Sequence, residues 1–385
     1  MRIPIPTCFL LACPIVVLAS VSWAADTPKP AEREAVLAKL KANKVNLLSL
    51  TIDAKGGGPA VNLGSGENGG EENNATDENL RLIAQLPELE RVMLYKGKVT
   101  ADGLAALASL PKLRYLQMYA TDVPSEAFSV LAKIPQLKYL SLGDYSVTDE
   151  ILGYAGQIKG LKGFDHTKSA ITAKGFLKFL KGVESLEQLT LFGDFVDDAC
   201  MERLGQMKEM KRLWTDSKKI TAAGWVHLAG LSKMQDLFLS NTNFGDEDMP
   251  VLKGMKDLKN LGLNKTKIGD AGMPLLAGLT KLHDLGLEGT KITDKGMAAL
   301  KEMTELENLY VGMTEVTAKG LAVVPKKERM SMMRTGKAAL TAKQLDEVMQ
   351  MYPGTQIFDP SGYWTTDRIK AAMKELGKEA PVPKK

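Results

Sequence analysis

From Leu89 onward the apolar residues of this chain fall at fixed offsets within a 24-residue unit. The stretch from Leu282 to Glu305, LHDLGLEGTKITDKGMAALKEMTE, is apolar at positions 1, 4 and 6, at 11, and again at 16, 19 and 22. Positions 4 and 6 alternate as a short strand with one buried face does, and the later spacing of three is helical. Units begin at Leu89, Leu113, Leu137, Leu161, Leu186, Met210, Met234, Leu258, Leu282 and Leu306, with a degenerate one at Met330; the unit at Leu161 is one residue longer. Each unit therefore predicts a strand, a turn and a short helix. One such unit cannot bury its apolar strip alone, so the units must stack into a single elongated α/β solenoid.

Polar positions repeat as well. Position 12 is Thr at Thr100, Thr172, Thr221, Thr293 and Thr317, where a hydroxyl can cap the free donors of the following helix. Position 9 is Thr at Thr121, Thr242, Thr266, Thr290 and Thr314, expected to satisfy turn backbone in the neighbouring coil. Strands pack about 4.8 Å apart and helices about 8 to 10 Å apart, so the stack must curve with its strands on the concave side.

Outside the regular units the pattern changes. Residues 1–24 combine Arg2, an apolar run from Cys8 to Val21, and small residues Ser22 and Ala24 around Trp23, which predicts a secretory leader cut after Ala24. This run is too short and too soon interrupted for a transmembrane helix. The sequence Leu10-Leu11-Ala12-Cys13 offers a lipoprotein-type alternative at Cys13. Residues 25–44 predict a linker and a capping helix over Ala31 to Ala42, and residues 45–354 the solenoid, with Val45, Leu48 and Leu50 as a first atypical strand. Within it, the Gly-, Asn- and Glu-rich segment 55–74 is expected to be a flexible insertion. Residues 355–385 predict a C-terminal cap, with a closing strand over Thr355 to Phe358, a helix over Asp367 to Leu376 and a disordered tail.

The unit LxxLxLxxTxITDxGLxxL resembles the short leucine-rich repeats of the ribonuclease-inhibitor-like superfamily, in particular the 24-residue forms of exported bacterial proteins. The likeness covers residues 45 to about 354. It implies a recognition scaffold, because members of that superfamily bind proteins, inhibit enzymes or act as adaptors. No F-box-like bundle fits between Ala25 and Lys44, and the leader points to export into the periplasm, the cell envelope or the medium.

Side chains at positions 3, 5 and 7 of each strand point away from the core. Those expected to contact a partner are Arg91, Met93, Tyr95, Tyr115, Gln117, Tyr119, Tyr139, Phe192, Arg212, Trp214, Phe238 and Tyr310. Aromatic residues make up 6% of the chain, so eight of them at these positions is an enrichment. Aromatic and Arg clusters are what binding hot spots are made of, although aromatics also stabilise strands by pairing across a ladder. Adjacent units should pair Tyr95 with Tyr119, Tyr115 with Tyr139, and Trp214 with Phe238.

Charge and chemistry narrow the partner. With 50 Lys and Arg against 46 Asp and Glu, the net charge of +4 implies no strongly basic face, which argues against nucleic acid. The GxGxxG from Gly64 to Gly69 is followed by acidic residues rather than a helix start and is not a dinucleotide loop. No haem, zinc-hydrolase, serine-hydrolase or phosphate-loop motif is present, so no cofactor, metal site or catalytic residue is expected. His166 takes a core-facing position 6 and needs a partner there, for which Thr215 is the candidate. Cys200 remains once Cys8 and Cys13 leave with the leader; it begins a helix, yet reads as a packed small residue. The expected function is non-catalytic recognition of a protein partner by a monomeric exported solenoid, with glycan binding on the same aromatic strip as the alternative.

Overall fold

The computed structural model describes residues 30–49, 59–63, and 74–325 apart from 144–146, 167–168 and 185, followed by 332–334, 341–351, 357–359, 362–363, 371 and 374. The leader, Cys13, the segment Gly64 to Gly69, Trp364, most of the helix expected over Asp367 to Leu376, and the final tail lie outside these residues.

One 15-stranded sheet runs the length of the molecule, from Asn46–Ser49 to Gly362–Tyr363. Neighbouring strands are parallel except for the first pair and the last. Register follows the period: Arg91 sits beside Tyr115, and Tyr115 beside Tyr139. The long unit keeps that register, with Gly163 beside Gln188, and contains a ten-residue helix, Ala173–Gly182. Positions 1, 4 and 6 fill the interior, as at Leu258, Leu261 and Leu263. Most of those leucines are wholly inaccessible, so each contributes roughly 1.5–3 kcal/mol of burial. This apolar column, packed between sheet and helices, is the core of the α/β leucine-rich-repeat solenoid.

The sheet turns into the helical side at position 8. Lys96, Ala120, Asn241, Lys265, Gly289 and Met313 all hold left-handed backbone there, with φ between 48° and 67°. The position 9 threonines follow this turn directly. Thr242, Thr266, Thr290 and Thr314 donate their hydroxyls to carbonyls three residues back in their own coil, at 2.7, 2.7, 2.6 and 2.5 Å. Of the five, Thr121 is the one that reaches the preceding coil, at Leu94 O. The expected bond to the neighbouring coil thus gives way to a local one.

Position 12 behaves as expected at Thr172, Thr221, Thr293 and Thr317, whose hydroxyls accept from helix N–H groups; Thr100 makes no such cap. A second ladder joins these threonines. Asp77, Asp149, Asp198 and Asp294, each opening one helix, and Asp270, in the turn before Met273–Gly278, accept both the N–H and the hydroxyl of the position 12 Thr in the next coil. On the side away from the sheet several helices are of the tighter 3-10 type, including Ser125–Lys133, Asp246–Gly254 and Met273–Gly278. The 3-10 form rises further per residue, and Pro250, the fifth residue of its helix, removes a backbone donor that an α-helix would use, whereas Pro274 sits in the first turn, where that donor has no helical partner.

The N-terminal end departs from the sequence reading. Asn46–Ser49 pairs antiparallel with Ala60–Leu63 and is therefore not a repeat strand. Ala60–Leu63, inside the segment expected to be a flexible insertion, is the first parallel strand, with Ala60, Val61 and Leu63 buried. Its short apolar run is masked in the sequence by the Gly-rich residues on both sides. Pro30–Ala42 forms the capping helix, burying Val36 and Leu40, and Arg33 pairs with Glu88 at 2.8 Å. At the other end Ile357–Asp359 closes the parallel run close to where a strand was expected.

Candidate binding face on the sheet

Side chains at positions 3, 5 and 7 alternate with core residues, and the strands Arg91–Tyr95 and Tyr115–Tyr119 are half-exposed and buried in strict turn. The exposed set falls into two groups. In the first, Tyr95 and Tyr119 lie 5.4 Å apart, Tyr115 and Tyr139 lie 6.4 Å apart, and the Arg91 guanidinium sits 5.4 Å from the Tyr115 ring. Gln117 donates to the Tyr95 hydroxyl at 3.4 Å, with Met93 beside it in register. In the second, Trp214 stands between Phe192 and Phe238, 5.3 and 5.1 Å away. Trp214 is 39% exposed, which leaves much of a large ring open to contact.

These rings lean along the sheet because glycines leave room for them. A Cβ on Gly143 would meet the Tyr119 ring at 2.4 Å, and one on Gly262 the Phe238 ring at 2.7 Å. Tyr310 stands apart from both groups, beyond the strands Asn260–Gly262 and Asp284–Gly286. There the face is polar: Asn260 donates to Asp236 and Asn308 to Asp284, while Arg212 grips Asp236 with two nitrogens at 3.0 Å.

Asp165, which the sequence reading passed over, lies between the two aromatic groups. It occupies position 5 of Gly163–His166, beside Ser141 and Thr190. Burial raises its carboxyl above the ordinary range, opposed by a hydrogen bond from Thr190 and the positive charge of Arg212. Burial, with the charge of Asp165, also raises the Tyr115 hydroxyl. The signal was present as the fifth residue of the Leu161 unit, which carries Phe164 and His166 at positions 4 and 6 in place of the usual leucines.

His166 is 1% exposed, and neither ring nitrogen has a hydrogen-bond partner among the described residues; Thr215 does not supply one. Its ring packs near Phe164 and Phe195 at 6.0 and 5.7 Å, and burial lowers its pKa to about 4. Cys200 is buried with its thiol 3.9 Å from Ala173 O, and burial pushes the thiol up to about 12. Its helix-start position does not outweigh that desolvation. No group of three or more His, Cys, Asp or Glu residues is arranged to hold a metal, and no helix is long and apolar enough to cross a membrane, among the described residues. A shallow cleft on the helical side, about 380 Å³ and lined by Asp149, Tyr154 and Lys178 among others, holds a single aromatic ring, that of Tyr154, where the sheet face holds rows of them.

Neither a scan against protein-family models nor a search of curated proteins finds a match. Solved structures do match. An internalin from Listeria monocytogenes aligns with a TM-score of 0.50 at 18% identity, covering 67% of this chain and 77% of its own. A second from the same organism, internalin C2, aligns with a TM-score of 0.40 at 24% identity, covering 49% of this chain and 76% of its own. The likeness to the first is one of fold, a long parallel sheet of leucine-rich repeats.

Proposed function

We propose that this solenoid is an exported, non-catalytic recognition protein that holds a protein partner against its concave strand face. The observation that carries this reading is the row Phe192, Trp214 and Phe238, three neighbouring rings with the central one substantially open to solvent. Large, rigid aromatic surface on a preformed sheet binds with little loss of conformational freedom. The match to an internalin supplies a scaffold of the same kind. Export rests on the apolar leader of residues 1–24.

Glycan stacking on the same rings is the weaker alternative. Its hydrogen-bonding groups are already engaged within the face: Gln117 with Tyr95, Asp216 with the Gly193 N–H, and Asn308 with Asp284. The test is affinity capture from the exported proteins of the native host with the wild-type chain and a Trp214→Ala/Phe238→Ala variant. A protein retained by the first and lost by the folded second is the expected result; equal retention overturns the assignment of this face.

A further inference from the structure

The chain as a whole carries more Lys and Arg than Asp and Glu, yet its sheet face from Asp165 onward carries the opposite sign. Asp165, Asp216, Asp236, Asp284 and Glu288 occupy positions 3, 5 and 7 there. Over the strands Gly163–His166 to Asn308–Tyr310, Arg212 is the one cation at those positions among the described residues, and it is committed to Asp236. Asp165 accepts from the Thr190 hydroxyl and Asp284 from the Asn308 amide, and neither forms an ion pair among the described residues. Between them stand the rings of Phe192, Trp214 and Phe238.

We propose that this strip binds an extended protein segment bearing lysine or arginine side chains, whose cations meet Asp165 and Asp284 while its apolar stem lies on the Trp214 row. The proposal rests on the reading of the sheet face as the recognition surface and specifies the chemistry of the partner. Complementary charge selects that partner, since an acidic segment would be repelled along the whole strip. A guanidinium or ammonium group also gains from the open face of Trp214. Half-burial of Asp165 makes its carboxylate poorly solvated, so an incoming cation restores what water does not supply. Spacing follows from the sheet: Asp284 lies five strands beyond Asp165, about 24 Å, which about seven residues of extended chain span.

Fluorescence anisotropy with labelled peptides of about a dozen residues tests this, using an apolar and aromatic stem with two Lys about six or eight residues apart, so that both point to one side of the extended chain, and matched Gln and Glu versions. The Lys peptide should bind at least about tenfold more tightly than the Gln peptide and weaken as salt rises, and the near-isosteric Asp165→Asn/Asp284→Asn variant should remove that preference. Equal binding of Lys and Gln peptides, unchanged in that variant but lost with Trp214→Ala, overturns the basic-partner proposal and leaves the recognition face standing. Should no peptide bind the wild-type chain, the proposal fails; should a captured protein partner also be indifferent to Trp214→Ala, the face itself fails with it. Circular dichroism of each variant separates lost binding from lost folding.

Discussion

The Asp149 carboxylate fills the space that a side chain on Gly175 would need: a Cβ there would lie 1.9 Å from Asp149 Oδ1. The carboxylate is held in place by the Thr172 N–H at 2.8 Å and the Thr172 hydroxyl at 2.6 Å. The same pairing joins Asp77 to Gly103, Asp198 to Gly224, Asp270 to Gly296 and Asp294 to Gly320. Where the first partner is Ala173 the second is Cys200, and where it is Ala222 the second is Asp248.

Gly175→Ala should therefore destabilise the chain by about 1–3 kcal/mol through overpacking against the carboxylate. In an Asp149→Ala background the same change should cost much less, because the obstructing group is gone. Urea unfolding of the two single variants and the double variant measures the coupling. Simple additivity would show that the two residues do not compete for that space.

His166 makes stability depend on pH. Its folded pKa, lowered from 6.5 to about 4 by burial, lies below that of the unfolded chain, so the unfolded state takes up the proton first. The folded state is unpenalised above pH 6.5 and loses stability as pH falls towards 4. His166→Leu installs the residue found at position 6 in Leu142 and Leu191. It should stabilise the chain about 2 kcal/mol more at pH 5 than at pH 8. An equal effect at both values would mean that the imidazole is not kept neutral by burial.

Cys200 should be inert in the folded state. With its thiol pushed up to about 12 and no exposed surface, it offers almost no thiolate at neutral pH. Ellman's reagent should leave it unmodified in native buffer and modify it fully in denaturant. Rapid native labelling would show an opening of the helix Asp198–Leu204 that the packing does not suggest.

Two tryptophans separate binding from stability. Trp225 is 1% exposed and packs edge-on against Phe244 at 5.3 Å, whereas Trp214 is 39% exposed. Trp225→Ala should cost about 3–5 kcal/mol, and Trp214→Ala about 1 kcal/mol or less while abolishing partner capture. Thermal melts beside binding assays distinguish the two. A large loss of stability at Trp214 would assign its ring to the ladder rather than to a partner.

Properties local to one unit were legible in the sequence. Strand and helix offsets, the helix caps at Thr172 and Thr293, and the neighbours of Tyr95 and Trp214 followed from period and alternation alone. Features created between units were harder to read. The Asp149 to Gly175 fit spans 26 positions and has meaning only once coils are stacked. The donors at Thr242 and Thr290 found carbonyls three residues back in their own coil, a partner that the repeat period does not distinguish from one in the neighbouring coil. Asp165 could be placed at position 5 of its unit, but its burial and its contact with Thr190 arise only once strands are paired, and Ala60–Leu63 was hidden by its glycine-rich surroundings.

The Asp and Gly contacts also make some coils interchangeable. Residues 258–281 receive a neighbour's carboxylate at Gly272 and present their own at Asp270, and residues 282–305 do the same with Gly296 and Asp294. Excising the first block would bring Asp246 against Gly296, a junction of the kind it already makes with Gly272. Duplicating the second would set Asp294 against a second Gly296, again an Asp and Gly contact of the kind already present. On the helical side the stack can thus lengthen or shorten by whole coils in this region with its Asp and Gly contacts kept in kind, whereas a cut beside Ala173 and Cys200 would mismatch both sides.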